Sequence, residues 1–171
     1  IRHLLNRTEE TQEKRYLINH FLESFRATLF RQTMFAEFEK TVHELGAAGE
    51  SLTSEKLCGI YQKLNEDYFG PDMVFDSEIG YEWERIPHFY TPFYVYQYAT
   101  GFSAAVAISR RIMEGEPGIL EGYKRFLSGG CSMEPVELLK LCGVDMSESR
   151  PVDQAMEFFE ELLDEFEVCM K

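Results

Sequence analysis

From Thr8 to about Gly46 the chain runs free of internal glycine and proline, and apolar residues recur at helical intervals: Leu17, Phe21, Phe25, Leu29, Met34, Phe38, Val42 and Leu45. That spacing lines one face of an α-helix. Thr8 is placed to cap the start, Glu9, Glu10 and Glu13 suit the positive helix end, and Gly46 and Gly49 stop it. At ~1.5 Å of rise per residue such a helix is roughly 55–60 Å long, which predicts that it packs along a larger body. A second helix, SEKLCGIYQKLNEDYF, opens at Ser51 to Thr53 and closes at Gly70 and Pro71. DSEIGYEWERI reads as a short helix or turn ended by Pro87. Thr91 followed by Pro92 predicts a helix from Pro92 to about Glu114, because proline tolerates the first helical position. Two more are expected from Pro117 to Leu127 and from Pro135 to Leu141, and a last one from Pro151 to the end. No stretch alternates as a strand does, so the expected fold class is all-α. No internal repeat or low-complexity linker interrupts it.

Composition adds limits to this picture. A chain of 171 residues that is 44% hydrophobic and 14% aromatic can build one domain with a real core and is not a disordered segment. Thirty acidic against seventeen basic residues give a net charge of −13, which argues against nucleic acid and against a membrane surface as partners. No apolar run approaches the ~18 residues of a membrane span, and no signal-peptide pattern is present. Cys58, Cys131, Cys142 and Cys169 are scattered without a CxxC pair, the usage of a reduced, cytoplasmic protein. The opening IRHLLNRT lacks an initiator methionine and reads as the last turn of a helix whose earlier part is missing, so the chain is expected to be a piece of something larger. The last helix carries Asp153, Glu157, Glu160, Glu161, Asp164, Glu165 and Glu167 opposite an apolar face of Ala155, Phe158, Phe159, Leu162, Leu163 and Phe166. Its acids form a solvated face rather than a docking site for a basic partner.

Familiar catalytic patterns are incomplete. HELGA at His43 starts like the zinc-binding HExxH, but its fifth residue is Ala47. His20 and Glu23 are three apart with no matching set on other helices, as a di-metal carboxylate site needs. There is no G-x-S-x-G, and SGGCS follows no strand. The chain alone therefore holds no metal ligand set and no complete catalytic set.

The stretch that carries a signal is RIPHFYTPFYVYQYATGFSAA, residues 85 to 105. Tyr94 and Tyr98 are four apart and share a helix face that Phe102 continues, while Tyr96 points elsewhere. His88 and Tyr90 lie in a segment that Pro87 and Pro92 hold away from helical geometry. Phenols and an imidazole gathered like this are costly to bury without partners, so they are expected to line a cleft. A phenol of pKa ~10 stays protonated at neutral pH and can donate to a developing oxyanion. Small residues at Ala99, Gly101, Ser103, Ala104, Ala105 and Ala107 let another helix approach closely.

LINHFLESFRATLFRQTMFAEFE, LNEDYFGPDM, EWERIPHFYTPFYVYQYATGFSAA and SGGCSMEPVELLKLCGVDM together closely resemble the oligoendopeptidase F family, zinc metallo-oligopeptidases related to thimet oligopeptidase. The resemblance covers nearly the whole chain in order. It implies a larger α-helical ellipsoid with a central channel, of which residues 1–171 are the C-terminal part of the catalytic domain, the HExxH helices lying upstream. It implies hydrolysis of oligopeptides, with zinc in the parent protein held by residues absent from this chain. The resemblance places His88 against the substrate and makes Tyr98 or Tyr94 the oxyanion-stabilising tyrosine, with Tyr90 a further candidate for that role and, with Tyr96, for substrate binding. Expected partners are an oligopeptide and the missing N-terminal part of the same protein. The chain alone is expected to be inactive and to self-associate through the apolar surface left open. The alternative is a non-catalytic helical interaction module with a closed core.

Overall fold

The computed structural model describes residues 2–171. Among the described residues every regular element is helical and no strand forms. The order is α1 (Arg2–Leu5), α2 (Thr11–Ser24), a π-helical segment (Phe25–Phe30), α3 (Arg31–Ala47), α4 (Ser54–Phe69), two 3-10 segments (Ser77–Arg85 and Pro87–Tyr90), α5 (Tyr96–Met113), α6 (Ile119–Gly129), α7 (Pro135–Lys140) and α8 (Arg150–Met170). The all-α expectation holds. Two compact units divide the chain, Ala27–Ala99 forming one and the described residues up to Arg26 with Thr100–Lys171 the other.

The Ala27–Ala99 unit is built on the apolar faces of α3 and α4. Met34, Phe35, Phe38, Tyr61, Leu64, Ile86 and Val95 are buried together. The Tyr61 ring stacks on Phe35 at 6.2 Å and meets Phe38 edge-on at 5.2 Å, the offset and T-shaped geometries that aromatic quadrupoles favour. Thr53 caps α4 by accepting from the Lys56 N–H at 3.3 Å, as its position before the helix predicts. Gly70 ends α4 at φ 78°, where a Cβ would be strained. The Ser77–Arg85 segment is tied down by buried Glu82. This carboxylate accepts from the Tyr61 hydroxyl at 2.7 Å and the Arg31 guanidinium at 2.6 Å, and pairs with Arg85. A charge this buried is tolerable only with several donors on it, which these three supply.

In the other unit α2 and α8 pack through aromatic rings. Phe25, fully buried, meets Phe102 at 4.9 Å and Phe158 at 6.3 Å, and Phe21 meets Phe158 edge-on at 5.5 Å. Ile18, Ala155 and Leu162 are buried as well. A second cluster joins Ala104, Ala107 and Ile108 of α5 to Ile119, Cys142 and Val144. Gly122 allows α6 to meet the end of α7, since a Cβ there would lie 2.3 Å from the Leu141 carbonyl oxygen. Arg111 closes the corner by donating to the Cys142 and Gly143 carbonyls at 3.1 and 2.6 Å and to both Glu116 oxygens.

Differences from expectation in the long helix and near the polar rings have local causes. Thr8 does not cap the long helix, because its hydroxyl donates back to the Leu4 carbonyl at 3.0 Å and α2 starts after Glu10. The long helix carries a π-helical turn over Phe25–Phe30, where one extra residue per turn leaves composition unchanged and so leaves no mark in the pattern. In the stretch of polar rings α5 begins at Tyr96 and not at Pro92, because Phe93 takes φ 57°.

Candidate functional site

Residues 86 to 99 alternate between anchors and exposed rings. Ile86, Val95 and Ala99 are buried, and the half-buried Phe89 ring packs on Phe35 at 5.6 Å and on Phe38 at 5.4 Å. Between these anchors the polar rings face outward. Tyr90 is 81% exposed, Tyr96 50%, Tyr94 41% and Tyr98 37%. Pro87 starts a single 3-10 turn that the Thr91 N–H closes onto the His88 carbonyl at 3.0 Å. This turn fixes His88 beside the first turn of α5, where the Tyr98 N–H reaches the Val95 carbonyl at 3.2 Å.

Three side chains converge there. His88 Nε2 and the Tyr98 hydroxyl are 3.2 Å apart. The His88 ring stacks on Tyr94 with centroids at 5.9 Å and planes 16° apart, and stands edge-on to Tyr98 at 5.6 Å. Tyr94 meets Tyr98 edge-on at 5.7 Å. The pairing of Tyr94 with Tyr98 holds, although only Tyr98 lies on α5, so a shared helix face is not its cause. The hydrogen bond that the Tyr98 hydroxyl donates toward Tyr94, with a smaller contribution from burial, pushes the Tyr98 phenol above its ordinary value. Tyr98 therefore stays protonated, and able to donate, through neutral and mildly alkaline pH. Tyr90 and Tyr96 lie between members of this trio along the chain.

One contributor lacks any catalytic motif. Phe93, the one described non-glycine residue at positive φ, donates its N–H to Glu39 Oε1 at 2.8 Å, and its ring meets the His43 ring at 4.7 Å. The only sequence mark of Glu39 is its register: it sits four residues after Phe35, where the apolar stripe of α3 calls for a hydrophobe.

Residues 2–158 match peptidase family M3. The chain belongs to this family. Oligopeptidase PepF of Bacillus subtilis is 52% identical over 166 residues, which cover 96% of this chain and 25% of that protein. The plasmid-encoded oligoendopeptidase F of Lactococcus lactis subsp. cremoris is 46% identical over 164 residues, 96% of this chain and 27% of that one. The crystal structure of oligoendopeptidase-F from Enterococcus faecium superposes with a TM-score of 0.96 at 46% identity, covering 99% of this chain and 32% of its own. The resemblance to oligoendopeptidase F read from the sequence is thereby shown, and the chain spans about a quarter to a third of the length of these relatives.

For a peptidase family M3 chain the question of a metal arises. Among the described residues no three His, Cys, Asp or Glu side chains are placed to hold one ion. His43 and Glu44 lie near the end of α3, and the His43 ring is engaged with Phe93. No helix among the described residues is long and apolar enough to cross a membrane.

Along the small-residue face of α5, Ala107 is buried in the core cluster, while Gly101, Ala104 and Ala105 line an open apolar groove of about 680 Å³ with Phe126, Met133 and Leu139.

Proposed function

We propose that this chain is the C-terminal part of the catalytic domain of a cytoplasmic zinc metallo-oligopeptidase, and that its half-buried imidazole and exposed phenols form one wall of the substrate cleft. The observation that carries this reading is the convergence of His88, Tyr94 and Tyr98 on a segment that Ile86, Phe89, Val95 and Ala99 anchor to the core. Nothing about packing requires three polar rings to meet there.

In this reading Tyr98 donates its hydroxyl proton to the carbonyl oxygen of the scissile bond as that oxygen gains negative charge. His88, in hydrogen-bond reach of Tyr98, orients that hydroxyl or binds a neighbouring carbonyl, and Tyr94 supports both rings. Tyr90 and Tyr96 contact the peptide on either side. Zinc, held by residues elsewhere in the parent, would supply the activated water. The groove beside Gly101 and Ala105 receives another part of the parent, and in the isolated chain it promotes self-association.

The test is peptide cleavage. In the full-length parent, Tyr98→Phe and His88→Ala each lower kcat, the former by about 10²–10³ as expected for loss of one oxyanion donor. The chain by itself shows no turnover and takes up no zinc. Stoichiometric zinc with turnover on this chain, or substitutions that leave kcat within about threefold, would overturn the reading.

A further inference from the structure

A second feature of the Ala27–Ala99 unit bears on how the polar rings come to meet. Phe93 sits at φ 57°, a conformation that crowds the Cβ of a bulky residue and persists only where its surroundings impose it. Glycine would enter that region freely, yet the chain has phenylalanine there. Two contacts hold it. The Phe93 N–H donates to Glu39 Oε1 at 2.8 Å, and the Phe93 ring lies on His43, one helical turn after Glu39. Glu39 is only 5% exposed, on the face of α3 that carries Phe35 and Phe38. A buried carboxylate is costly unless charged hydrogen bonds compensate it, and the backbone N–H of Phe93 is such a donor.

The turn at Phe93 has a direct geometric result. It stops α5 from starting at Pro92 and leaves Tyr94 outside the helix, between exposed Phe93 and buried Val95. From there the Tyr94 ring lies parallel to His88 and edge-on to Tyr98. We infer that Glu39 is a positioning residue for the phenol–imidazole trio, its carboxylate fixing the left-handed turn that sets Tyr94 against His88 and Tyr98. This inference rests on reading the trio as substrate donors. Glu39 itself touches none of the three rings and acts through the backbone of Phe93.

Nuclear magnetic resonance on the folded chain tests it without any assay of cleavage. The Phe93 side chain is exposed, so slow exchange of its amide reports the Glu39 bond. In Glu39→Ala that amide exchanges about ten- to a hundredfold faster. The titration midpoint of Tyr98, followed through ¹³Cζ-labelled tyrosine, moves down toward that of a free phenol as Tyr94 loosens. Glu39→Gln keeps an acceptor oxygen and retains most of both signals, which also serves should Glu39→Ala fail to fold. Adding Phe93→Gly to Glu39→Ala restores part of the Tyr98 shift, because glycine adopts the turn unaided. An unprotected Phe93 amide in the native chain overturns the inference, as does a Tyr98 midpoint that ignores Glu39→Ala in a folded protein. In the parent peptidase, Glu39→Ala lowers kcat at least tenfold with little change in KM, and Glu39→Gln stays near the native rate. Were the Tyr98 midpoint to move while cleavage did not, the positioning geometry would stand and the donor reading of the trio would fall.

Discussion

Replacing Tyr61 with phenylalanine isolates one hydrogen bond at the base of the segment that carries His88. The ring keeps its place against Phe35 and Phe38, and only the hydroxyl on Glu82 Oε2, at 2.7 Å, is lost. Tyr61 is fully buried and Glu82 nearly so, which puts this bond in the class to a charged group, worth about 1.5–3 kcal/mol. Arg85 offers a contrast: its side chain is 73% exposed, so Arg85→Ala costs at most about 1 kcal/mol although it contacts the same carboxylate. The single tryptophan, Trp83, lies beside Glu82, so its emission during urea unfolding reads the Ala27–Ala99 unit. With an m-value of about 2 kcal/mol/M, Tyr61→Phe lowers the midpoint by roughly 1 M.

The loss has a pH signature. Burial pushes the Glu82 carboxyl up, but the Tyr61 hydroxyl, the Arg31 guanidinium and the Arg85 charge outweigh it and hold the group below its ordinary value. A carboxyl lowered on folding stabilises above its unfolded value of ~4.3, and that stability disappears as pH falls through the folded value. Tyr61→Phe removes part of the lowering, so the gap between native and variant is full near pH 7 and narrows below about pH 4. Burial, then the Glu82 carboxylate, drive the Tyr61 phenol far above its ordinary range. The native protein therefore loses stability as pH rises past ~10, whereas the variant, lacking the phenol, does not, and the gap narrows again. A difference under about 0.5 kcal/mol at pH 7, or one that stays flat from pH 3 to 7, would refute the argument.

Two further substitutions probe local packing. Gly122→Ala forces a methyl against the Leu141 carbonyl, 2.3 Å from the ideal Cβ, and is expected to cost about 1–3 kcal/mol or more through backbone displacement, read as a lower thermal midpoint. Thr53→Ala removes the acceptor for Lys56 N–H and is expected to cost about 1 kcal/mol, checked by the same melt, with Thr53→Ser close to native.

Where local rules act alone, the sequence is a good guide. The opening of α4 at the end of the Ser51–Thr53 stretch, the Gly70 stop and the Pro135 start of α7 all follow from short-range chemistry, and each stands where the pattern places it. Pro92 misleads because a proline permits a helix start without requiring one, and the opposing influence comes from Glu39, 54 positions before Phe93 in the chain. The bounds of α6 shift by two residues at each end: it runs Ile119–Gly129 rather than from Pro117 to Leu127. The candidate site is legible as a set of residue types, His88 with its tyrosines, because polar rings crowded into one stretch are unusual in a core. Their arrangement is not legible. It depends on a left-handed phenylalanine and on a carboxylate inside an apolar stripe, both of which local preference disfavours.

The interleaving of Ile86, Phe89, Val95 and Ala99 with His88, Tyr90, Tyr94 and Tyr98 has a consequence for how such a surface can change over generations. Each outward ring is bracketed by neighbours already committed to the interior. Swapping one outward ring for another alters what the surface grips while the scaffold beneath stays put. An insertion or deletion of one residue here is far less forgiving. It would drag an anchor into water and a phenol inward together, so diversification along this stretch should proceed by exchange of side chains at constant length.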